Sequence, residues 1–112
     1  MNAVYDQKFS ESTSGERGSR IDPVLARSWL LVNGGHFDRF PAAEHSRADI
    51  VVLDIEDAVA PKDKATARDN VTRWLAAGNT DWVRVNGFGT QWWADDLEML
   101  SGSSVGGVML AM

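Results

Sequence analysis

Four short apolar runs, separated by segments of helical periodicity, restrict this chain more than any other feature. SWLLVNGG (28–35), DIVVLDIED (49–57), DWVRVNGFG (81–89) and VGGVMLAM (105–112) each have the length of a buried strand. Between them, KDKATARDNVTRWLAA (62–77) carries Ala67, Val71, Trp74 and Leu75 on one stripe. Pro61 is placed for its first turn and Gly78 stops it. QWWADDLEML (91–100) puts Trp93, Leu97 and Leu100 on one face, and DRFPAAEHSRA (38–48) forms a short helix whose start Pro41 limits. The order β-α-β-α-β-α-β predicts an α/β fold with right-handed crossovers and a parallel sheet. The near-continuous apolar strands agree, because parallel sheets are covered on both faces.

Alternation along each strand then sorts the side chains. Val51, Leu53 and Ile55 share a face that takes helices; Val52, Asp54 and Glu56 share the other. Val83 and Val85 oppose Trp82, Arg84 and Asn86, and Asn33 aligns with Leu31 and Trp29. One face is therefore aliphatic, and the other becomes polar toward the C-terminal strand ends. Buried carboxylates need a compensating charge, and Arg84 is the candidate for Asp54 and Glu56 if their strands are neighbours. In a barrel this polar face lines the active-site mouth; in an open doubly wound sheet the crevice also lies at the C-terminal strand ends. Either way Asp54, Glu56, Arg84 and Asn86 stand where a ligand binds, with Asp57 at the loop entry.

Composition removes other classes. The net charge of -5 comes without a basic stripe, so no nucleic-acid partner is expected. The absence of cysteine excludes a disulfide framework and a cysteine zinc site. No run has the roughly 20 apolar residues of a membrane span, and a cytoplasmic protein is the default expectation. Residues 1–22 read as a flexible arm, since SESTSGERGS is small, polar and aperiodic; residues 23–112 form the folded unit. His36 and His45 lack metal-ligand spacing and read as surface residues. The glycine tips at Gly34-Gly35 and Gly87-Phe88-Gly89 read as turns rather than a phosphate cradle, and neither matches a dinucleotide fingerprint. Arg39, just past the first strand, is a candidate for an anionic tail or a solvated helix charge.

RSWLLVNG, VVLDIEDAVAPKDKATAR, VRVNGFGT and WWADDLEML followed by VGGVML together resemble the citrate lyase β-subunit-like, or HpcH/HpaI aldolase, family, over residues 27–112. The resemblance implies a (β/α)8 barrel of which this chain carries the first four strands. It implies Mg²⁺-dependent cleavage or formation of a carbon–carbon bond beside an acyl thioester or 2-oxo acid, as in citryl-CoA and malyl-CoA lyases. Breaking such a bond leaves an enolate, whose charge must be met by fixed positive charge. By the same resemblance Arg84, in the RVN motif, contacts the substrate oxygens, with Glu56 as its catalytic partner. Asp54, Glu56 and Asp57 order the outer shell of the metal, and Asn33, Arg39 and Asn86 are substrate-binding candidates. The direct metal ligands are expected beyond Met112. The partners implied are a small-molecule substrate, a CoA thioester among the candidates, and further copies of the full-length chain as a homo-oligomer.

Three departures mark a divergent subgroup: Val32-Asn33-Gly34 where Val-Pro-Gly is usual, His36 where an arginine is expected, and Met112 in place of a lysine. A full barrel takes about 250 residues, so the expectation is an N-terminal half, a fragment inactive by itself. The alternative expectation is a non-catalytic half-barrel that acts through oligomerisation or regulation. A phosphate-binding α/β domain using the glycine tips is the third class.

Overall fold

The structure is a computed structural model and describes Asp22 and residues 25–111. Apart from Asp22, the arm expected over 1–22 lies outside the described residues, as does Met112.

Strand β1 (Trp29–Asn33) is followed by a 3₁₀ turn (Phe37–Arg39) and helix α1 (Phe40–Glu44). Strand β2 (Ile50–Asp54) leads through a second 3₁₀ turn (Pro61–Asp63) into α2 (Lys64–Ala76), and β3 (Trp82–Val85), α3 (Trp93–Leu100) and β4 (Gly107–Leu110) complete the order. The alternation is as expected, but the helices are trimmed. Pro41 has no N–H to give to a helix interior, so it sits in the first turn of α1 and the preceding residues tighten into 3₁₀ geometry. Asp49 defines the entry to β2: its Oδ2 accepts from the amides of Arg27 at 2.7 Å and Ser28 at 3.3 Å, while its own amide donates to Ser28 Oγ at 3.0 Å. That reciprocal pair locks the starts of β1 and β2 side by side.

All four strands are parallel, in the order β1-β2-β3-β4. This decides between the two sheets left open above. A doubly wound sheet reverses its strand order and places helices on both faces, whereas here each strand joins the one before it. The helix-side residues Val32, Val51, Leu53, Ile55, Val83 and Val85 share one cluster with Phe40, Ala67, Val71, Leu75 and Leu100. One-way winding with helices on one side is the winding of a barrel. Full burial of side chains such as Leu53, Val71 and Val83 contributes about 1.5–3 kcal/mol each. Phe37, Phe40 and Trp74 pack edge-on or tilted and fasten the first connection to α2, with the Arg73 guanidinium 4.0 Å above the Phe37 ring.

The opposite face has its own small core. Trp29 and Trp82 meet edge to face at 5.3 Å, over the side of the sheet that carries Ile50 and Val52. Trp82 lies so close to β4 that a Cβ on Gly107 would fall 2.3 Å from its Cε2, which is why glycine occupies that position.

The third helix differs from its expected face. Leu97 is exposed, and Asp96 occupies the inward position between Trp93 and Leu100. A carboxylate replaces leucine there because charged and amide partners await it, as described below.

Candidate active site

The strand register builds the site. Asn33, Asp54, Arg84 and Met109 lie opposite one another in a single row across the four strands, at their C-terminal ends. Arg84 donates to Asp54 through two parallel bonds, Nε to Oδ1 at 3.1 Å and Nη2 to Oδ2 at 2.7 Å. Glu56 Oε1 stands 3.5 Å from Arg84 Nε. The three residues expected to share one cavity wall are thus brought together.

Their roles divide. Asp54 is 2% exposed, and besides Arg84 it accepts from the amides of Glu56 at 2.9 Å and Ala58 at 3.2 Å. Its oxygens are committed to arginine and loop, which makes it the anchor of Arg84 rather than a ligand for anything mobile. Burial pushes its carboxyl up, but the Arg84 bond, the Glu56 amide, the Arg84 charge and the Ala58 amide outweigh this and hold it below the ordinary 3.8. The Asp54 bond likewise raises the Arg84 guanidinium above its already high value. A guanidinium has five N–H donors; the paired edge uses two, and among the described residues no hydrogen bond takes up the other three.

Asn86 stands one residue beyond the end of β3. Strand β3 ends at Val85, so alternation does not extend to position 86. Asn86 is 3% exposed; its Nδ2 donates to Asp96 Oδ2 at 2.7 Å and to the Ile55 carbonyl at 3.2 Å, and its amide donates to Asp96 Oδ2 at 3.0 Å. It braces the β3 tip against β2 and α3. On the far side of Asp96, Arg68 Nε donates to Oδ1 at 3.1 Å. Asp96 is fully buried, and its two oxygens join α2, α3 and the β3 tip.

Asn33 closes a turn by accepting from the Gly35 amide at 2.7 Å, and reaches the Ala58 carbonyl with Nδ2 at 3.0 Å, tying the first loop to the second. Gly34 between them permits close approach: a Cβ there would lie 2.8 Å from Ile55 Cγ2 and 3.0 Å from the Asp54 carbonyl oxygen. Asn70 of α2 secures the same loop through Nδ2 to the Gly34 carbonyl at 2.9 Å. Arg39 is exposed and lines a shallow cleft of about 340 Å³ along the open edge of β1, shared with Asn33 and Ser46. Asp57 is exposed at the start of the second loop.

The sequence reading missed Lys64, Arg68, Asn70 and Asp96. The signal was present for two of them: Lys64 and Asp96 fall on the apolar stripes of their own helices, where a charge is out of place unless it is paired. Lys64 is 6% exposed; its Nζ donates to the carbonyls of Ile55 at 3.1 Å and Glu56, and lies 5.0 Å from the centroid of the Trp92 ring.

The described residues contain no group of three or more His, Asp or Glu side chains able to hold a metal ion. Within the strand-tip site, both Asp54 oxygens are already bonded, to Arg84 and to the loop amides. No helix among the described residues is long and apolar enough to cross a membrane.

Comparison with known proteins agrees with this architecture. The sequence profile of the HpcH/HpaI aldolase/citrate lyase family matches residues 27–112. An L-malyl-CoA/beta-methylmalyl-CoA lyase of Rhodobacter capsulatus is 42% identical over 87 residues, which cover 71% of this chain and 27% of that protein. A citrate lyase beta subunit from Mycobacterium tuberculosis, solved with oxaloacetate and magnesium, superposes with a TM-score of 0.67 at 37% identity, over 77% of this chain and 39% of the other. The protein CitE of the same organism, in complex with magnesium, acetoacetate and coenzyme A, superposes with a TM-score of 0.62 at 36% identity, over 77% and 32% of the two chains. The chain thus spans between a quarter and two-fifths of the length of these relatives.

Proposed function

The chain belongs to the HpcH/HpaI aldolase/citrate lyase family, and from that premise we propose that residues 27–112 supply the substrate-oxygen-binding half of a carbon–carbon lyase. The observation that carries the reading is the bidentate anchoring of Arg84 on Asp54, which holds the guanidinium at the strand tips with three N–H donors not hydrogen-bonded among the described residues. The substrate is a small 2-oxo or hydroxy acid or its CoA thioester, of the malyl-CoA or citryl-CoA kind. Cleavage leaves the bonding electron pair on an enolate, and Arg84 meets the oxygen on which that charge collects. Because the guanidinium is fixed before substrate arrives, little reorganisation is needed during the reaction. Glu56, 3.5 Å from Arg84 Nε, limits how far the guanidinium can swing and places a carboxylate beside the reacting oxygens.

Magnesium belongs to the proposal through the neighbours that hold it. Its direct ligands come from outside the described residues, with Glu56 and Asp57 around its outer shell. A homo-oligomeric, cytoplasmic enzyme is part of the same reading.

The test is acyl-CoA cleavage with Mg²⁺, measured for the 112-residue chain and for a barrel-length polypeptide of about 250 residues that contains it. Cleavage by the longer form, none by the shorter, and a loss of about 10²–10³ in kcat for R84K are expected. An R84K enzyme as active as the parent would overturn the assignment.

The open sheet edges favour a second reading. Among the described residues β1 and β4 each pair on one side only, and Leu31 and Leu110 on them are 41% and 56% exposed. Such edges pair readily with another chain, as a non-catalytic half-barrel acting through oligomerisation requires. A homogeneous dimer with a cooperative melt in light-scattering and calorimetric measurements supports it; aggregation counts against it.

A further inference from the structure

We propose that Lys64 is a positioning residue of this site: it clamps the loop after β2 so that Glu56 stays against Arg84. The inference rests on the lyase reading for its consequence in catalysis, but the clamp itself is a property of the fold.

Lys64 opens α2, yet its side chain runs back beneath the tip of β2 to the carbonyls eight and nine residues upstream. The Ile55 carbonyl it reaches also accepts from Asn86 Nδ2 at 3.2 Å, and the Ile55 amide donates to the Arg84 carbonyl at 3.1 Å. The two peptide units that flank Ile55 are therefore held by α2 and by the β3 tip together. The next carbonyl, that of Glu56, is held by the same ammonium. With both carbonyls of its flanking peptides fixed and its own amide bonded to Asp54 Oδ1 at 2.9 Å, Glu56 has little backbone freedom left. Its carboxylate is thereby kept at Arg84.

A neutral donor would not serve equally well. Burial pushes the Lys64 amine below its usual pKa, against the opposing charges of Glu56, Asp54, Asp96 and Asp57, which favour a cation there. The ammonium also lies over the Trp92 ring, 5.0 Å from its centroid. Lys64 thus satisfies two carbonyls and supplies the positive charge that the nearby carboxylates favour. An ordinary surface lysine at a helix start does none of these.

The test compares K64M and K64R with the parent by amide hydrogen exchange and by kinetics. K64M is expected to expose the amides of residues 56–59 while those of α2 beyond residue 68 keep their protection, and K64R is expected to restore part of the protection. In a barrel-length enzyme, K64M is expected to lower kcat by about tenfold to a hundredfold with KM little changed, because a misplaced catalytic group costs rate rather than affinity. Should K64M fail to fold, K64Q, which keeps a donor for one carbonyl, is expected to give an intermediate result in both measurements. Unchanged exchange at residues 56–59 overturns the clamp. Raised exchange with unchanged kcat overturns its part in catalysis. Absence of cleavage in the parent counts against the lyase reading alone, since the exchange result stands independently.

Discussion

Arg84 and Asp54 face each other in register on adjacent strands, joined by two parallel bonds of 3.1 and 2.7 Å, with the carboxylate almost wholly buried and the guanidinium side chain 24% exposed. The pair is asymmetric. Asp54 has spent its oxygens on Arg84 and on the loop after β2, while Arg84 retains donors. Removing the carboxylate should therefore harm folding first, and removing the guanidinium should harm catalysis as well.

Asp54→Ala is expected to destabilise the protein by about 3–5 kcal/mol, since it strands a partly buried cation and two loop amides. Urea unfolding followed by circular dichroism measures it. A loss below about 1 kcal/mol, the range of an exposed pair, would show that the pair is solvated in solution.

The same pair sets an acid limit. The folded pKa of Asp54 is depressed, so its contribution is complete above the ordinary value of 3.8 and is lost as pH falls below that value through the lower folded pKa. Unfolding free energy measured from pH 7 downward should drop in that window. In Asp54→Asn the same drop should be smaller, because the titrating group is gone.

Asp96 joins Arg68 to Asn86 inside the helix layer. Asp96→Ala leaves Arg68 and two Asn86 donors without their acceptor and is expected to cost about 3–5 kcal/mol. Asp96→Leu, which restores the leucine-like stripe, should not rescue it, because the orphaned donors remain. Chemical denaturation of both variants decides the point.

Gly107→Ala forces a Cβ into the indole of Trp82. Overpacking of this kind costs about 1–3 kcal/mol. It should also shift Trp82 away from Trp29, a change visible in near-ultraviolet circular dichroism as a loss of the coupled indole signal.

Much of the framework is legible in the residues alone. The VVLD and WVRV runs show their strand character by alternation, and Ala67, Val71 and Leu75 show the buried stripe of α2. The meeting of Arg84 with Asp54 and Glu56 follows from that alternation once β2 and β3 are neighbours. The bonds of Asn86 to Asp96 and Ile55 were not legible, because alternation holds only as far as the strand does, and β3 ends at Val85. Leu97 and Asp96 were exchanged because position on a helix face was weighed by polarity alone.

Sequence by itself determined the periodicities: which segments are strands, which are helices, and that the strand tips are charged. Those are local, since the spacing of apolar residues records which side of an element leaves water. Tertiary structure alone decided the strand order, the saturation of Asp54, and the burial of Lys64 and Asp96. A buried charge is tolerated only when partners stand within bonding distance. Those of Asp96 come from 28 and 10 residues away, and that of Asp54 from 30. No local pattern records such separations; the packing of α2, α3 and the strand tips brings them together.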